Sequence, residues 1–279
     1  MLATTLQAFL SQGRGHSMWG VCKLGRTIWS QGEELQHAAA VIGTVLYLSI
    51  RPRYWAPRMR DRFARQVLAV GVEPIGFVCG LAVVVGILVV VQLAFWTGQA
   101  GQSQLLGPLL VAVVARELGP MLMNIVVIVR SSSAMATELG VLTISGEVRR
   151  LEARGGDPFL DLVMPRVLGV AVGTFCLTII FTLVVFASGY VFGAWLGTGS
   201  RDMWFFTSSV LNALRPQDVA GIAAKSVLPA LFTGASCCIG GLGAGGSVTE
   251  IPRATQRALT RSFAGLFVIS GVISLLTYL

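Results

Sequence analysis

The sequence predicts an all-α integral membrane protein with five transmembrane helices, preceded by N-terminal interfacial or re-entrant helices. Hydrophobic residues make up 54% of the 279 residues, charged residues make up only 12%, and the mean hydropathy is +0.75. Soluble domains usually carry about a quarter charged residues. Several apolar runs also reach the roughly 20 residues that a helix needs to cross a bilayer. A multi-pass membrane protein therefore explains the composition better than one or two soluble domains do.

Five apolar runs are long enough to span, and together they define one five-span membrane domain over residues 74–279. The second run contains Arg116 and Glu117 near its middle, and the fourth contains Lys225 near its start. The third is long enough to tilt or kink. The predicted spans cover residues 74–97, 105–129, 167–196, 219–245 and 262–279.

Residues 1–73 form a separate N-terminal segment in this prediction. Its apolar stretch, residues 37–50, has only 14 residues, which is short for a span. Basic residues flank it on both sides, with six arginines between Arg51 and Arg65 alone. Positive charge on both flanks favours an interfacial or re-entrant hairpin that returns to its original side. A short true span is the alternative.

Arginine counts predict the orientation of the spans. The connection at residues 98–104 has no charge, whereas the connection from Arg130 to Arg166 holds five arginines. The next connection has Arg201 and Arg215, offset by two aspartates, and the last is basic again. Because basic loops stay in the cytoplasm, the N-terminus should be cytoplasmic and the C-terminus should lie on the far side of the membrane.

The net charge of +8 comes almost entirely from arginines at the ends of apolar runs. No nucleic-acid-binding motif accompanies them, so membrane orientation explains the charge and we predict no nucleic-acid partner. The five cysteines have no metal-ligand or disulfide spacing, and His16 and His37 are the only histidines. We therefore predict no metal site, no cofactor and no catalytic residue.

The connection at residues 131–166 contains a short amphipathic helix. Ile144, Val148 and Leu151 fall at i, i+4 and i+7, which puts them on one helical face. Two glycines followed by Asp157-Pro158 then stop the helix. The residues alone leave two uses open. The helix could lie on the lipid surface, or it could dock into a groove of a soluble partner.

Arg116 and Glu117 are the least expected residues of the second span. A charge at the bilayer centre costs about 2.5–3.5 kcal/mol on the insertion scale, and adjacent residues on a helix point about 100° apart. The following Gly119-Pro120 predicts a break or kink of the helix that frees backbone groups, which a cavity or another helix must then satisfy. The pair could be a packing knot or a polar patch in a cavity. Lys225 could join it, or could extend to the interface.

Several short motifs resemble the signature of MlaE-type permeases, the membrane subunits of lipid ABC transporters that work with an MCE-domain partner. The resemblance covers most of the chain, including the order of the spans and the stretch PRATQRALTRS at residues 252–262. The matching elements are Arg116–Pro120, Glu138–Gly140, Glu147, Asp157-Pro158 and Pro165-Arg166.

This resemblance implies a homodimeric permease of the bacterial inner membrane that moves phospholipid, or a related lipid, together with a cytoplasmic ATPase. It favours docking on that ATPase for residues 131–166, and it favours a lipid-binding cavity for the charged pair. The implied coupling residues are Glu138, Ile144, Glu147, Val148, Leu151 and Asp157. The implied cavity residues are Arg116, Glu117, Leu118 and Lys225. The chain itself has no phosphate-binding loop, since it lacks even a Gly-Lys dipeptide.

Two alternatives use the same residues differently. A secondary transporter would also carry charges at mid-membrane, but it should show inverted repeats, and none is evident. A structural membrane scaffold would use the Arg-Glu pair only as a packing knot. Replacing Arg116 with methionine and Glu117 with leucine should separate knot from cavity. On the cavity hypothesis, that double variant keeps stability and loses lipid transport.

Overall fold

The computed structural model describes residues 36–51, 57–99, 106–195, 203–243 and 248–278. The chain divides into two compact units, residues 1–44 and residues 45–279. Residues 36–49 form helix α1, on which this division falls. Residues 1–35, half of the predicted N-terminal segment, lie outside the described residues. That residues 37–50 re-enter rather than span, and that a domain begins at residue 74, remain predictions.

In the second unit, every described element is helical. Five helical runs are long and apolar enough to cross a membrane, namely Met59–Gln99, Gly107–Ile144, Phe159–Trp195, Pro216–Leu242 and Ile251–Thr277. This confirms the all-α class and the five spans. The helices are α2 (Pro57–Gly71), α3 (Ile75–Gln99), α4 (Gly107–Ile144), α5 (Glu147–Ala153), α6 (Met164–Trp195), α7 (Met203–Ala213), α8 (Pro216–Leu242) and α9 (Ile251–Tyr278).

Two helices extend further than the hydropathy predicts. Helix α4 continues beyond the predicted end at residue 129 to Ile144, and α9 begins at Ile251 rather than at residue 262. Hydropathy marks only the part of a helix that lies among apolar surroundings. Backbone hydrogen bonding continues into polar sequence as long as the polar side chains have a place to go. Here the two polar extensions pack against each other.

Helix α4 changes its hydrogen-bonding pattern along its length. Two stretches, Val111–Leu118 and Ile128–Ser132, are π-helical. The N–H of Gly119 donates to the carbonyl of Val114, five residues earlier. Of the predicted break or kink at Gly119-Pro120, the break is absent, because the helix runs on through both residues. The wider π-helical turn accommodates the proline, and such turns often occur at functional sites.

Helix α8 forms the centre of the bundle, since it packs on α4, α6 and α9 and is the most buried span. Small residues allow close helix contacts. A Cβ at Gly189 of α6 would lie 2.2 Å from Val90 of α3, and a Cβ at Gly241 of α8 would lie 2.7 Å from Leu139. These glycines therefore allow close packing between helices of the same chain.

Candidate functional site

Two ion pairs connect α4 to α8 inside the membrane-spanning part of the bundle. The guanidinium Nη2 of Arg116 lies 2.9 Å from Oδ2 of Asp218. The ammonium Nζ of Lys225 lies 2.6 Å from Oε1 of Glu117. We call these four side chains the charge cluster. Adjacent Arg116 and Glu117 thus find separate partners, which agrees with their predicted divergence on the helix.

The spacing on α8 explains how one helix serves both partners. Asp218 and Lys225 are seven residues apart, which is about two helical turns and places them on one face. Asp218 was not among the predicted site residues, because in the sequence it reads as a loop charge that offsets arginines. A usable signal was present, since an acid and a base at i, i+7 complement an adjacent base and acid on another span.

Prolines free two backbone carbonyls at this contact. Pro120 has no N–H to donate to the carbonyl of Arg116, and Nζ of Lys225 donates to that oxygen at 3.3 Å instead. Pro229 likewise leaves the carbonyl of Lys225 without its usual partner. The amide Nδ2 of Asn124 donates to this second oxygen at 3.3 Å. Of the two possibilities, a cavity or another helix, the facing helix supplies the donor to each of these freed carbonyls.

The four charged side chains are buried to different degrees. The side chains of Asp218 and Lys225 are each 5% exposed, whereas those of Arg116 and Glu117 are 25% and 41% exposed. Lys225 therefore does not extend to the interface, and the carboxylate of Glu117 is its ion-pair partner. Glu117 also accepts hydrogen bonds from the hydroxyl of Ser274 on α9, at 3.2 and 3.3 Å. Helix α9 is thus a third wall of the charge cluster.

Arg116 keeps hydrogen-bonding capacity that the protein does not use. A guanidinium has five N–H donors, and the buried Nε of Arg116 has no hydrogen-bond partner among the described residues. Asp218, by contrast, accepts from the backbone N–H of Arg215 at 2.9 Å as well as from Arg116. Among the four charged groups, Arg116 is therefore the one best able to bind a further anion.

The space at the charge cluster is small. Arg116, Asp218 and Lys225 line a cavity of about 10 Å³, which is room for about one water molecule. A much larger apolar cavity, of about 580 Å³, lies between α6, α7 and the start of α8. Ile222 lines both. The cavity expected around Arg116, Glu117 and half-buried Leu118 is thus narrow at the charges, and the larger volume lies beside them.

Comparison with known proteins agrees with this architecture. The family described as "Permease MlaE" matches residues 63–276. The chain belongs to the MlaE permease family. This MlaE-family permease is 28% identical to "Protein TRIGALACTOSYLDIACYLGLYCEROL 1, chloroplastic" of Arabidopsis thaliana, over 75% of this chain and 59% of that protein. It thus spans less than two thirds of that relative's length.

Two bacterial relatives cover more of their own length. A "Probable ABC transporter permease protein" of Synechocystis is 27% identical over 78% of this chain and 82% of the relative. The "Intermembrane phospholipid transport system permease protein MlaE" of Haemophilus influenzae is 23% identical over 65% of this chain and 73% of the relative. These names describe the relatives, and the family identifies this chain as a multi-pass permease.

At the opposite end of the bundle, the MlaE-family permease uses two predicted coupling residues internally. The carboxylate of Glu138 on α4 lies 2.9 Å from Nη2 of Arg166 on α6. Asp157 accepts the backbone N–H of Phe159 at 2.9 Å and so begins the turn into α6. Glu147, at the start of α5, is exposed. Of these three carboxylates, Glu147 is therefore the one that makes no hydrogen bond or ion pair with the described residues.

The predicted apolar stripe does not lie on one helix. Ile144 ends α4, and Gly146 then adopts φ +75°, a left-handed conformation that separates it from Val148 and Leu151 on α5. Leu151 packs back against Gly156, where a Cβ would lie 2.8 Å from its methyl group. The three stripe residues are half-buried within the chain. Periodicity alone predicts one helix through these residues, because it does not show the turn at Gly146.

Val141 is an exposed apolar residue at this end that was not among the predicted coupling residues. It lies one turn before Ile144 on α4, and it is 51% exposed. Arg149 and Arg150 on α5 are exposed nearby in sequence. An exposed valine beside charged residues is a suitable contact for a soluble partner. Within the described residues, no group of three His, Cys, Asp or Glu side chains could hold a metal ion.

Proposed function

We propose that this chain is the permease subunit of an ATP-driven ABC transporter that moves phospholipid, or a related lipid, between membranes. Membership of the MlaE permease family supports this, as do the permease and phospholipid-transport names of its relatives. The observation that carries the proposal is the charge cluster. Ionisable side chains inside a membrane are costly and usually mark a substrate path, and here two pairs meet between α4 and α8.

The charge cluster would act on the lipid headgroup. A phosphate is an anion with several acceptor oxygens, and guanidinium groups bind such anions well. Arg116 has an unused buried N–H and remains a quarter exposed. A phosphate could therefore reach Arg116 and compete with Asp218. Lys225 would hold Glu117 in place and supply a second positive charge close by.

The partners follow from what the chain lacks and exposes. ATP hydrolysis would come from a separate cytoplasmic ATPase, since the sequence has no phosphate-binding loop. An MCE-domain protein would exchange lipid at the far side of a bacterial inner membrane, with the N-terminus of this chain cytoplasmic and its C-terminus periplasmic. A second copy would complete a homodimer. Helix α9 is the least buried span, and its exposed residues include Val268, Leu275 and Leu276.

The packing-knot hypothesis has one observation in its favour. All four members of the charge cluster are paired, and the space beside them holds only about one water molecule. On that hypothesis the ions would do no more than join α4 to α8. The two hypotheses predict different behaviour for variants in which whole pairs are replaced.

Purification and reconstitution test the proposal directly. The chain, expressed with the neighbouring genes of its own genome, should co-purify with an ATPase. Proteoliposomes that contain the complex should move fluorescent phospholipid to acceptor vesicles when ATP is present. The matched control is the same complex with a non-hydrolysable ATP analogue. Lipid movement that is equally fast with the analogue would contradict an ATP-driven mechanism and favour a passive scaffold or secondary transporter.

Val141→Asp should weaken ATPase binding without unfolding the permease. Val141 is half exposed, so the free permease tolerates a charge there. Burying a valine side chain in an interface contributes about 1.5–3 kcal/mol, so its loss should weaken binding at least tenfold. The measurement is the amount of ATPase that co-purifies, together with the thermal unfolding midpoint of the permease. Val141→Leu keeps the apolar surface and should bind normally. Equal ATPase recovery with Val141→Asp would remove Val141 from the interface.

A further inference from the structure

The apolar cavity lies beside the charge cluster, not at the predicted cytoplasmic end. Its walls come from the second half of α6, from α7 and from the beginning of α8. The cavity opens to the surroundings of the protein, since Leu183, Ala187 and Val191 are exposed. The lining residues on these three helices include Ile179, Leu183, Ala187, Val191, Leu211 and Leu214.

The chemistry of the walls defines what can fill the cavity. The lining is apolar apart from a few groups such as the Thr182 and Thr207 hydroxyls and the Tyr190 phenol. The volume of about 580 Å³ falls within the range of about 300–1,000 Å³ that small-molecule sites have. Helices α6 and α8 are long and apolar enough to span a membrane, so in a bilayer the exposed residues of α6 at this opening would face lipid. A hydrocarbon chain therefore has both access to the cavity and a matching surface within it.

A positively charged residue directly follows one of the lining residues in the sequence. Leu214 and Val219 line the cavity, and between them lies the exposed Arg215. Ile222 is shared with the small cavity that Arg116 and Lys225 line. Asp218, the nearest acid on this part of α8, is already paired with Arg116. An apolar cavity with an arginine next to a lining residue in the sequence complements an amphiphile that has a hydrocarbon chain and an anionic head.

We propose that the apolar cavity binds one acyl chain of a membrane phospholipid, with the phosphate of that lipid beside Arg215. The lipid would thus be held next to the charge cluster. The charged residues on this part of α8 are Asp218 and Lys225, and both are already paired. The inference rests on the proposed function for its ligand class. It gives the acyl chain of the lipid a binding place, which the narrow charge cluster does not offer.

Photo-crosslinking of lipid tests the proposal on the full chain in nanodiscs. The bilayer would contain phosphatidylcholine with a small share of phosphatidylglycerol that carries a diazirine near the end of one acyl chain. Illumination should attach this probe to α6 and α7 residues that line the cavity. Ala187→Phe fills the opening and should abolish those adducts. Ala220→Phe is the matched control, since Ala220 is exposed on α8 but lies outside the cavity lining.

A second probe separates the chain from the head. Arg215→Gln should reduce labelling by the phosphatidylglycerol probe but not by a diacylglycerol probe, which has no phosphate. Adducts spread evenly over all bilayer-facing helices, or adducts unchanged by Ala187→Phe, would overturn the proposal. Absence of adducts on α6 and α7 of the unmodified protein would also overturn it and would leave a second copy of the chain as the occupant to test. Because binding is measured without ATPase or ATP, this experiment can fail while lipid transport succeeds, and the reverse.

Discussion

Glu117→Leu should destabilise the protein by about 3–5 kcal/mol, the usual cost of removing one partner from a buried ion pair. The variant leaves the ammonium of Lys225, which is only 5% exposed, without the carboxylate that lies 2.6 Å away. Lys225→Met should cost less. Glu117 is 41% exposed, so its charge can be solvated, and it keeps the hydrogen bonds from Ser274. The measurement is the free energy of unfolding in mixed detergent micelles.

The double variant Glu117→Leu/Lys225→Met should recover most of the stability that Glu117→Leu loses. Replacing a whole buried pair with apolar residues of similar size is often neutral or stabilising. Ser274→Ala is the control for the weaker contact to α9 and should change stability little. A double variant that stays as unstable as Glu117→Leu would show that the loss comes from packing at α4 rather than from an unpaired charge.

Lipid transport by that double variant separates the two interpretations of the charge cluster. If the pair only joined α4 to α8, transport should return together with stability. If the pair lies on the lipid path, the stable double variant should no longer transport lipid. An apolar pair would hold the helices together equally well, so packing alone does not require two charges in the membrane. We therefore expect the charges to serve the lipid and transport to be lost. Normal transport by the double variant would favour the packing knot.

The sequence was sufficient for the spans but not for their ends. Apolar runs identify where a helix must satisfy its own backbone in lipid, and all five predicted spans are present. The continuation of α4 to Ile144 depends on packing against α9, and this contact is not visible in a hydropathy pattern. The Gly146 turn was similarly hidden, because a glycine at a helix end can equally be a residue within a helix.

The charge cluster shows the same limit for the site. The sequence identifies Arg116, Glu117 and Lys225 as groups that must avoid lipid, but it does not give the pairing between helices. Exchanging Arg116 and Glu117 together for apolar residues keeps stability only if these two residues form a single pair. It would instead remove one member from each of two pairs and leave Asp218 and Lys225 buried. We therefore now expect that double variant to lose stability.

Arg116→Met should be as severe as Glu117→Leu for the opposite reason. It removes the cation and leaves the carboxylate of Asp218, 5% exposed, with the N–H of Arg215 as its remaining partner. The cost should again be about 3–5 kcal/mol. Asp218→Asn should cost less, since the amide oxygen can still accept from Arg215 and the partly exposed guanidinium can be solvated. Thermal unfolding of the purified variants measures this asymmetry.

Combining Arg116→Met with Asp218→Asn removes both charges and keeps an acceptor for the N–H of Arg215, so most of the stability should return. The unused Nε of Arg116 gives this pair its own functional expectation. Arg116→Lys keeps the charge but loses the planar fork that suits a phosphate. This variant should fold normally and should transport lipid poorly. The stable double variant should not transport lipid at all. If both variants transport at the rate of the unmodified protein, Arg116 holds Asp218 and does not hold lipid, because neither the charge nor the fork would then be needed for the substrate.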